Sequence, residues 1–269
     1  MNIGSSLFDL GSLDRISNQE TVIHGLDPRV KVVVTLIFIV AVVSFGKYEV
    51  SGLMPFFIYP AVLVALADIP VRYLFRKVLI VSPFALMIGL FNPFLDREIL
   101  VNLGPIGLSG GWISFISIML RFALTVGAGL ILIACTGFNA ICHALEKMGA
   151  PRVFVIQLLF LYRYLFVLTE EASRMVRARA LRSFPGKGMG MRIFGYLVGH
   201  LLLRTLDRAH RIHLAMLSRG FDGEIRILRP MRLGMRDLVF LLGWSGLIMV
   251  MRFYNLPRLL GNLVTGGAG

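Results

Sequence analysis

Apolar runs without charged residues recur through the first half of the chain and return once near its end. A helix that crosses a bilayer needs about 20 mostly apolar residues, and basic side chains that flank a shorter run can reach the interface. Turn-forming sequences such as Asp68-Ile69-Pro70 separate the runs. The pattern predicts an all-α polytopic membrane protein with about five transmembrane helices, at about residues 30–46, 50–67, 78–95, 112–136 and 237–254.

The stretch between the fourth and fifth predicted spans follows a different pattern. Its apolar residues recur at helical spacing beside polar ones, which predicts two long amphipathic helices, at about 151–183 and 192–219. Residues 153–162 are apolar enough to be partly embedded in the bilayer. On the second helix, Arg204 lies on the polar face, which we expect to be solvated.

Composition agrees with a membrane protein, because 57% of the 269 residues are hydrophobic and only 16% are charged. A soluble domain of this size could not bury so much apolar surface. Two cysteines, Cys135 and Cys142, are too few for a disulfide framework. We expect five parts: a cytoplasmic N-terminal segment (1–29), transmembrane helices 1–4 (30–136), a cytoplasmic pair of long amphipathic helices (137–236), the last transmembrane helix (237–254) and a short C-terminal tail (255–269).

The net charge of +13 is concentrated in the connections. The head before the first span and the four connections between the spans hold 3, 1, 3, 1 and 15 Lys and Arg residues in turn, where the last count is taken within 163–236. That stretch contains only five acids. Basic residues favour the cytoplasmic side of a membrane. We therefore expect a multi-pass protein with its N-terminus in the cytoplasm, and we assign the basic excess to loops rather than to nucleic-acid binding.

Both amphipathic helices end on an arginine between small residues, Ala178-Arg179-Ala180 in the first and Ser218-Arg219-Gly220 in the second. Small neighbours let a partner approach the backbone, and arginine can donate a planar fork to a buried carboxylate. The repetition predicts a docking platform for a soluble protein. A basic surface resting on anionic lipid is the alternative.

These residues carry a resemblance to the transmembrane T component of energy-coupling factor (ECF) transporters, in particular its cobalt-type CbiQ family. The resemblance covers essentially the whole chain in order. Arg179 and Arg219 would then end coupling helices that sit in grooves of two ATPase subunits, and Ala180 stands where the family more often has glycine. The remaining motif residues, which we assign to structural or interface roles, are Asp27, Pro28, Arg29 and Lys31 within His24-Gly25-Leu26-Asp27-Pro28-Arg29-Val30-Lys31, then Arg163 beside Tyr164, and the pair Glu170 and Glu171.

The resemblance implies an ATP-driven importer for cobalt or nickel ions in a bacterial or archaeal cell membrane. This chain would transmit the motion of two CbiO-like ABC-type ATPases, which bind ATP and Mg²⁺, to a CbiM-like substrate-binding membrane subunit. A small CbiN-like accessory subunit belongs to the same expectation. Two alternatives stay open, a T component that serves a vitamin and a basic membrane-anchored adaptor without a transport role.

The sequence lacks the residues that several kinds of chemistry require. No G-x-x-x-x-G-K-[ST] motif is present, and the Gly-Lys pair Gly186-Lys187 has no phosphate-loop context, so ATP hydrolysis is not expected here. No predicted span has a central acid, which disfavours a cation permease, and His210 and His213 lack further ligands at metal-binding spacing. We therefore assign no catalytic, cofactor or metal residue. Arg121 could form a polar tie between membrane helices or to a substrate subunit, or it could snorkel to the interface, and we favour snorkelling.

Overall fold

The computed structural model describes residues 21, 23–92, 99–103, 106–182, 190–223 and 233–254. The predicted tail 255–269 and nearly all of the segment before residue 23 lie outside this range. The all-α prediction is confirmed, and the described residues also contain one antiparallel two-stranded hairpin in the connection before the fourth predicted span. The elements in chain order are α1 (Pro28–Val43), a 3₁₀ helix (Ser51–Phe57), α2 (Ile58–Leu66), α3 (Val71–Leu90), β1 (Ile99–Leu103), β2 (Ile106–Ser109), α4 (Gly110–Thr136), α5 (Phe138–Lys147), α6 (Arg152–Arg182), α7 (Met191–Leu217) and α8 (Met235–Phe253).

The chain divides into two compact units. The described parts of 15–141 and 231–269 form the first, which we call the membrane unit. The described part of 142–230 forms the second, which we call the paired-helix unit because α6 and α7 pack along each other there.

Helix α1 provides the core of the membrane unit. Val34, Phe38 and Val42 are completely buried on it, and it packs against α4 and α8. Phe38 also stacks on Tyr59, with 4.5 Å between the ring centroids. The helix begins where the Asp27 side chain caps its first turn and proline occupies its first position, a combination that favours helix initiation.

Helix α3 begins earlier than the span predicted at 78–95. It begins at Val71, directly after Pro70, so Arg72, Arg76 and Lys77 lie on its first two turns rather than in a connection. The prediction was wrong because it relied on uncharged apolar runs. The basic residues of the first two turns interrupt such a run, but they do not interrupt the helix, since Arg and Lys are good helix formers. The helix packs closely on α4, since a Cβ at Gly89 would lie 2.9 Å from the ring of Phe115.

Among the described residues, three helices are long and apolar enough to cross a membrane: α3, α4 and α6. Two of them correspond to predicted spans, and the stretch Ser51–Leu66 is a shorter apolar helix. Helix α6 lies in the segment that we predicted to be cytoplasmic. It qualifies because Arg152 and Arg163 are the only charged residues before Glu170. Its first half is therefore apolar and its second half charged.

Candidate docking sites and a polar cluster in the membrane unit

The end of α6 presents Arg179 in its last turn. Ala178 and Ala180 are exposed on either side, and Arg179 is half-exposed. The helix continues to Arg182, so residue 180 needs only ordinary helical geometry, for which alanine is the best residue. The departure from the family's usual glycine at this position is thus consistent with the local backbone.

The end of α7 presents Arg219 through a tight turn. The helix ends at Leu217, and the Ser218 hydroxyl donates to the carbonyl of Leu214 at 2.7 Å. Gly220 has φ +76°, and its N–H donates to the carbonyl of Leu217 at 3.0 Å. This left-handed residue is the common way to end a helix, and glycine adopts it without steric strain. Arg219 is held exposed just before that turn.

Neither arginine has a side-chain hydrogen bond or ion pair to any part of the chain that the structure describes. Arg179 and Arg219 therefore both keep their five N–H donors for a partner. A carboxylate is the group that matches this planar fork, with two parallel hydrogen bonds.

The acidic pair on α6 is divided between two roles. Glu170 forms an exposed ion pair with Arg174 one turn along the same helix, with 2.6 Å between Nη2 and Oε1. Glu171 instead reaches α7 and accepts a hydrogen bond from the guanidinium of Arg204. The side chain of Arg204 is 62% exposed, as expected for the polar face of α7, and it also donates to the carboxylate on the facing helix. Arg163 is exposed, with its guanidinium 6.0 Å from the ring centroid of Tyr164.

The motif before α1 forms a polar cluster inside the membrane unit, which we call the root cluster: His24, Asp27, Lys31, Cys135, Gly234 and Asp237. The backbone N–H of Asp27 donates to Oδ1 of Asp237 at 2.8 Å. The other oxygen of Asp237 accepts from the N–H of Gly234 at 2.8 Å. The two aspartates are 5% and 7% exposed. A buried carboxylate thus joins the first turns of α1 and α8.

Lys31 completes this cluster from the next turn of α1. It is 5% exposed, and its ammonium donates to the carbonyl of Cys135 at 3.1 Å and to that of His24 at 3.3 Å. Cys135 lies in the last turn of α4, where carbonyl groups lack partners within the helix. A cation at this end of a helix is also favoured by the helix dipole.

Two arginines tie the opposite end of α1. Arg252 of α8 donates to the carbonyl and the hydroxyl of Ser44, both at 3.1 Å. Arg121 of α4 donates to the carbonyl of Gly46. The polar tie is therefore the interpretation of Arg121 that the structure favours, rather than the snorkelling that we preferred. Because α1 and α8 meet start to start and end to end, they run in the same direction.

The described residues contain no group of three or more His, Cys, Asp or Glu side chains arranged to hold a metal ion. His210 and His213 are both exposed on α7. A cavity of about 10 Å³ beside Lys31, also lined by Thr35 and Tyr59, has room for one water molecule.

Sequence comparison identifies the family. The family model described as cobalt transport protein, CbiQ, matches residues 19–228. The chain belongs to the CbiQ cobalt transport protein family. It is 27% identical to the ECF transporter transmembrane protein EcfT of Leuconostoc gelidum over 76% of this chain and 81% of that one.

Two other relatives are much longer than the aligned region. A putative fused cobalt transport protein CbiMQ of Methanocorpusculum labreanum is 30% identical over 33% of this chain and 15% of its own length. A putative ABC transporter ATP-binding protein of Bifidobacterium longum is 27% identical over 82% of this chain and 30% of its own length. The CbiQ-type chain is therefore similar to parts of proteins named for a cobalt transporter and for an ABC ATPase.

Sequence reasoning found the helix-end arginines and the motif before α1, but it missed what that motif binds. The partners of Lys31 are two main-chain carbonyls, which have no sequence signature. Asp237 had a weak signal, because an acid three residues after Gly234 at the start of an apolar run is a known helix-start pattern.

Proposed function

We propose that this chain is the transmembrane coupling subunit of an ATP-driven ECF-type importer, with cobalt as its cargo and nickel as the next choice. The chain passes the motion of two cytoplasmic ABC-type ATPases to a separate substrate-binding membrane subunit. This task requires no catalysis by the chain itself. It requires helices that move as a unit and stable contacts between the helix ends and the ATPases. We expect ATP and Mg²⁺ to bind only in the partner ATPases.

The pair of unpartnered arginines at the ends of two associated helices carries this proposal. Arg179 and Arg219 lie between small residues, are half-exposed and exposed respectively, and have no ion-pair partner among the residues that the structure describes. Glu171 and Arg204 hold α6 to α7, so a push on one helix end is shared by both helices. These helices are the coupling helices of the proposed complex.

The names of the relatives support the partners. One relative is named as an ABC transporter ATP-binding protein, which fits CbiO-like ATPases acting beside this chain. The fused CbiMQ relative fits a CbiM-like substrate-binding subunit. We assign cargo capture to that subunit, with a CbiN-like subunit as an accessory, and we place the complex in a bacterial or archaeal cell membrane.

Two features favour alternatives. Helix α7 has no buried residue and exposes Phe194 and Leu202 beside its basic side chains, which also suits an adaptor lying on anionic lipid. Relatives named EcfT, which carry no cargo in their names, leave a vitamin as an alternative cargo.

Purification of the tagged chain from cells that express its neighbouring genes tests the proposal. We expect an ABC-type ATPase and a substrate-binding membrane subunit to co-purify, and cobalt uptake to require all of them. The chain purified alone should show no ATPase activity above background. Recovery of the chain without an ATPase, or vanadate-sensitive hydrolysis by the chain alone, would contradict the proposal.

A further inference from the structure

The coupling segment, by which we mean the part of the chain between α4 and α8 that contains α6 and α7, is attached to the membrane unit at two points along the chain. Helix α4 ends at the Thr136-Gly137 joint, and the chain leaves the membrane unit shortly afterwards, between Ile141 and Cys142 within α5. It returns at α8, whose first turn carries Asp237. Any force on the coupling helices that is transmitted through the backbone enters the membrane unit at these two places.

The root cluster holds both of these attachment points. Lys31 binds the carbonyl of Cys135, one residue before Thr136. Asp237 binds the N–H of Asp27 with one oxygen and that of Gly234 with the other. The start of α1 is thereby joined to the end of α4 on one side and to the start of α8 on the other.

The joint after α4 has defined geometry. Gly137 has φ +77°, and its N–H donates to the carbonyl of Ile133 at 2.8 Å. This left-handed glycine ends α4 within the turn that Lys31 binds from outside. The lysine thus supports a helix end that would otherwise keep an unpartnered carbonyl in an apolar environment.

Placing the ammonium group of Lys31 in this buried space is energetically unfavourable. Removing an ammonium group from water is unfavourable even when it is hydrogen-bonded, and an apolar side chain of similar volume can replace a buried charge with little loss of stability. Its use here points to a geometric requirement rather than to stability alone.

We propose that Lys31 and Asp237 are positioning residues. They fix the two points at which the coupling segment is attached, the end of α4 and the start of α8, which we call its roots. Movement of the ATPases is then transmitted to the membrane unit and is not absorbed by flexibility at these points. The inference rests on the proposed function, since roots matter to transport only if the helices between them carry force. It assigns the root cluster no contact with ATPase, cargo or lipid.

Two variants test this role. Lys31→Met removes the ammonium and keeps the length of the side chain. Asp237→Asn keeps one acceptor oxygen and loses the other. We expect both variants to retain the ATPases at wild-type stoichiometry, whereas cobalt uptake per complex falls about tenfold, the change that about 1.4 kcal/mol produces. Lys31→Arg should restore part of the uptake, because it keeps a donor.

Arg252→Met provides the matched control. It removes an exposed hydrogen bond from a basic side chain to the Ser44 carbonyl, at the opposite end of α1 and away from both attachment points. Its uptake per complex should stay within about twofold of wild type. Amide hydrogen exchange in intact complexes gives a second readout, in which residues 133–141 should exchange faster in Lys31→Met than in Arg252→Met.

The outcomes separate the two hypotheses. If the wild-type chain retains no ATPase, the proposed function fails. If it does retain ATPase but Lys31→Met and Arg252→Met change uptake and exchange equally, the root cluster is an ordinary structural tie and this inference is overturned. The same holds if a variant that assembles poorly shows normal uptake per assembled complex.

Discussion

The small residues that follow Arg179 and Arg219, the two arginines proposed to dock, serve different backbone needs. Gly220 lies at φ +76°, where a side chain is strained by about 1–2 kcal/mol. Ala180 lies within a helix that continues to Arg182, where glycine would be worse than alanine by about 0.5–1 kcal/mol. The two motifs therefore look alike in sequence and present their arginines through different geometry.

We predict opposite sensitivities at these two positions. Gly220→Ala should weaken ATPase retention several-fold, because strain of about 1 kcal/mol at the turn moves Arg219. Ala180→Gly should leave retention close to wild type and lower only the helicity of α6. The measurement is the amount of ATPase bound per tagged chain across a salt series. Greater loss from Ala180→Gly than from Gly220→Ala would contradict the account.

At the scale of elements, the pairing of α6 with α7 depends on few polar contacts. Glu171 is mostly covered, at 19% side-chain exposure, and pairs with Arg204 across the two helices. Glu170 and Arg174 form a pair within α6 that is more than 60% exposed on both sides. Exposed pairs of the second kind contribute little to stability, so the first pair should determine how the two helix ends are spaced.

Charge reversal tests this assignment. Glu171→Arg should lower ATPase retention, because two arginines then face each other between the helices. Adding Arg204→Glu should restore retention, since the pair is rebuilt with reversed polarity. Glu170→Arg is the matched control and should have little effect. A double variant no better than Glu171→Arg alone would show that this contact does not set the spacing.

Apolar runs and helical spacing predicted most of the helices but missed the start of α3 and the hairpin. The ends of α4, α6 and α8 lie within about two residues of their predicted positions, because uncharged apolar runs mark α4 and α8 and helical spacing marks α6. The start of α3 was missed because its first turns carry Arg72 and Arg76. The hairpin was missed because Gly104 and Pro105 indicate a turn without showing that the flanking residues pair.

The candidate sites divide in the same way. A stop at Gly220 and an exposed Arg219 follow from local sequence alone. The partners of Asp27 and Lys31 lie 210 and 104 residues away, so they depend on how α1, α4 and α8 assemble. Local pattern could identify the motif before α1 only as part of a family resemblance, without its contacts.

At the scale of the whole molecule, the account requires the N-terminus and the coupling helices on the cytoplasmic side. The test uses single cysteines at Lys47 and Lys187 in a background without Cys135 and Cys142. Both native thiols are buried, and burial raises the pKa of Cys142, so their loss removes little reactivity. An impermeant thiol reagent on intact cells should label position 47 and spare position 187. Labelling at position 187 would place the coupling helices on the outer side of the membrane and contradict the predicted topology.

The central claim is that the ends of α6 and α7 hold the ATPases. Losing one partner of a buried charged hydrogen bond costs on the order of 2–5 kcal/mol, so each Arg→Ala change should weaken docking by about 30-fold or more. Lysine should restore docking only in part, since an ammonium cannot form the planar fork. Arg177 and Arg211 are exposed on the same two helices and provide controls of equal charge.

Native mass spectrometry of the purified complex tests this claim most directly. The wild-type chain and the Arg177→Ala/Arg211→Ala control should each carry two ATPase subunits. The Arg179→Ala/Arg219→Ala variant, present in the membrane at the same level, should carry none and should support no cobalt uptake. If that variant retains both ATPases and normal uptake, the helix ends are not the docking sites and the account is contradicted.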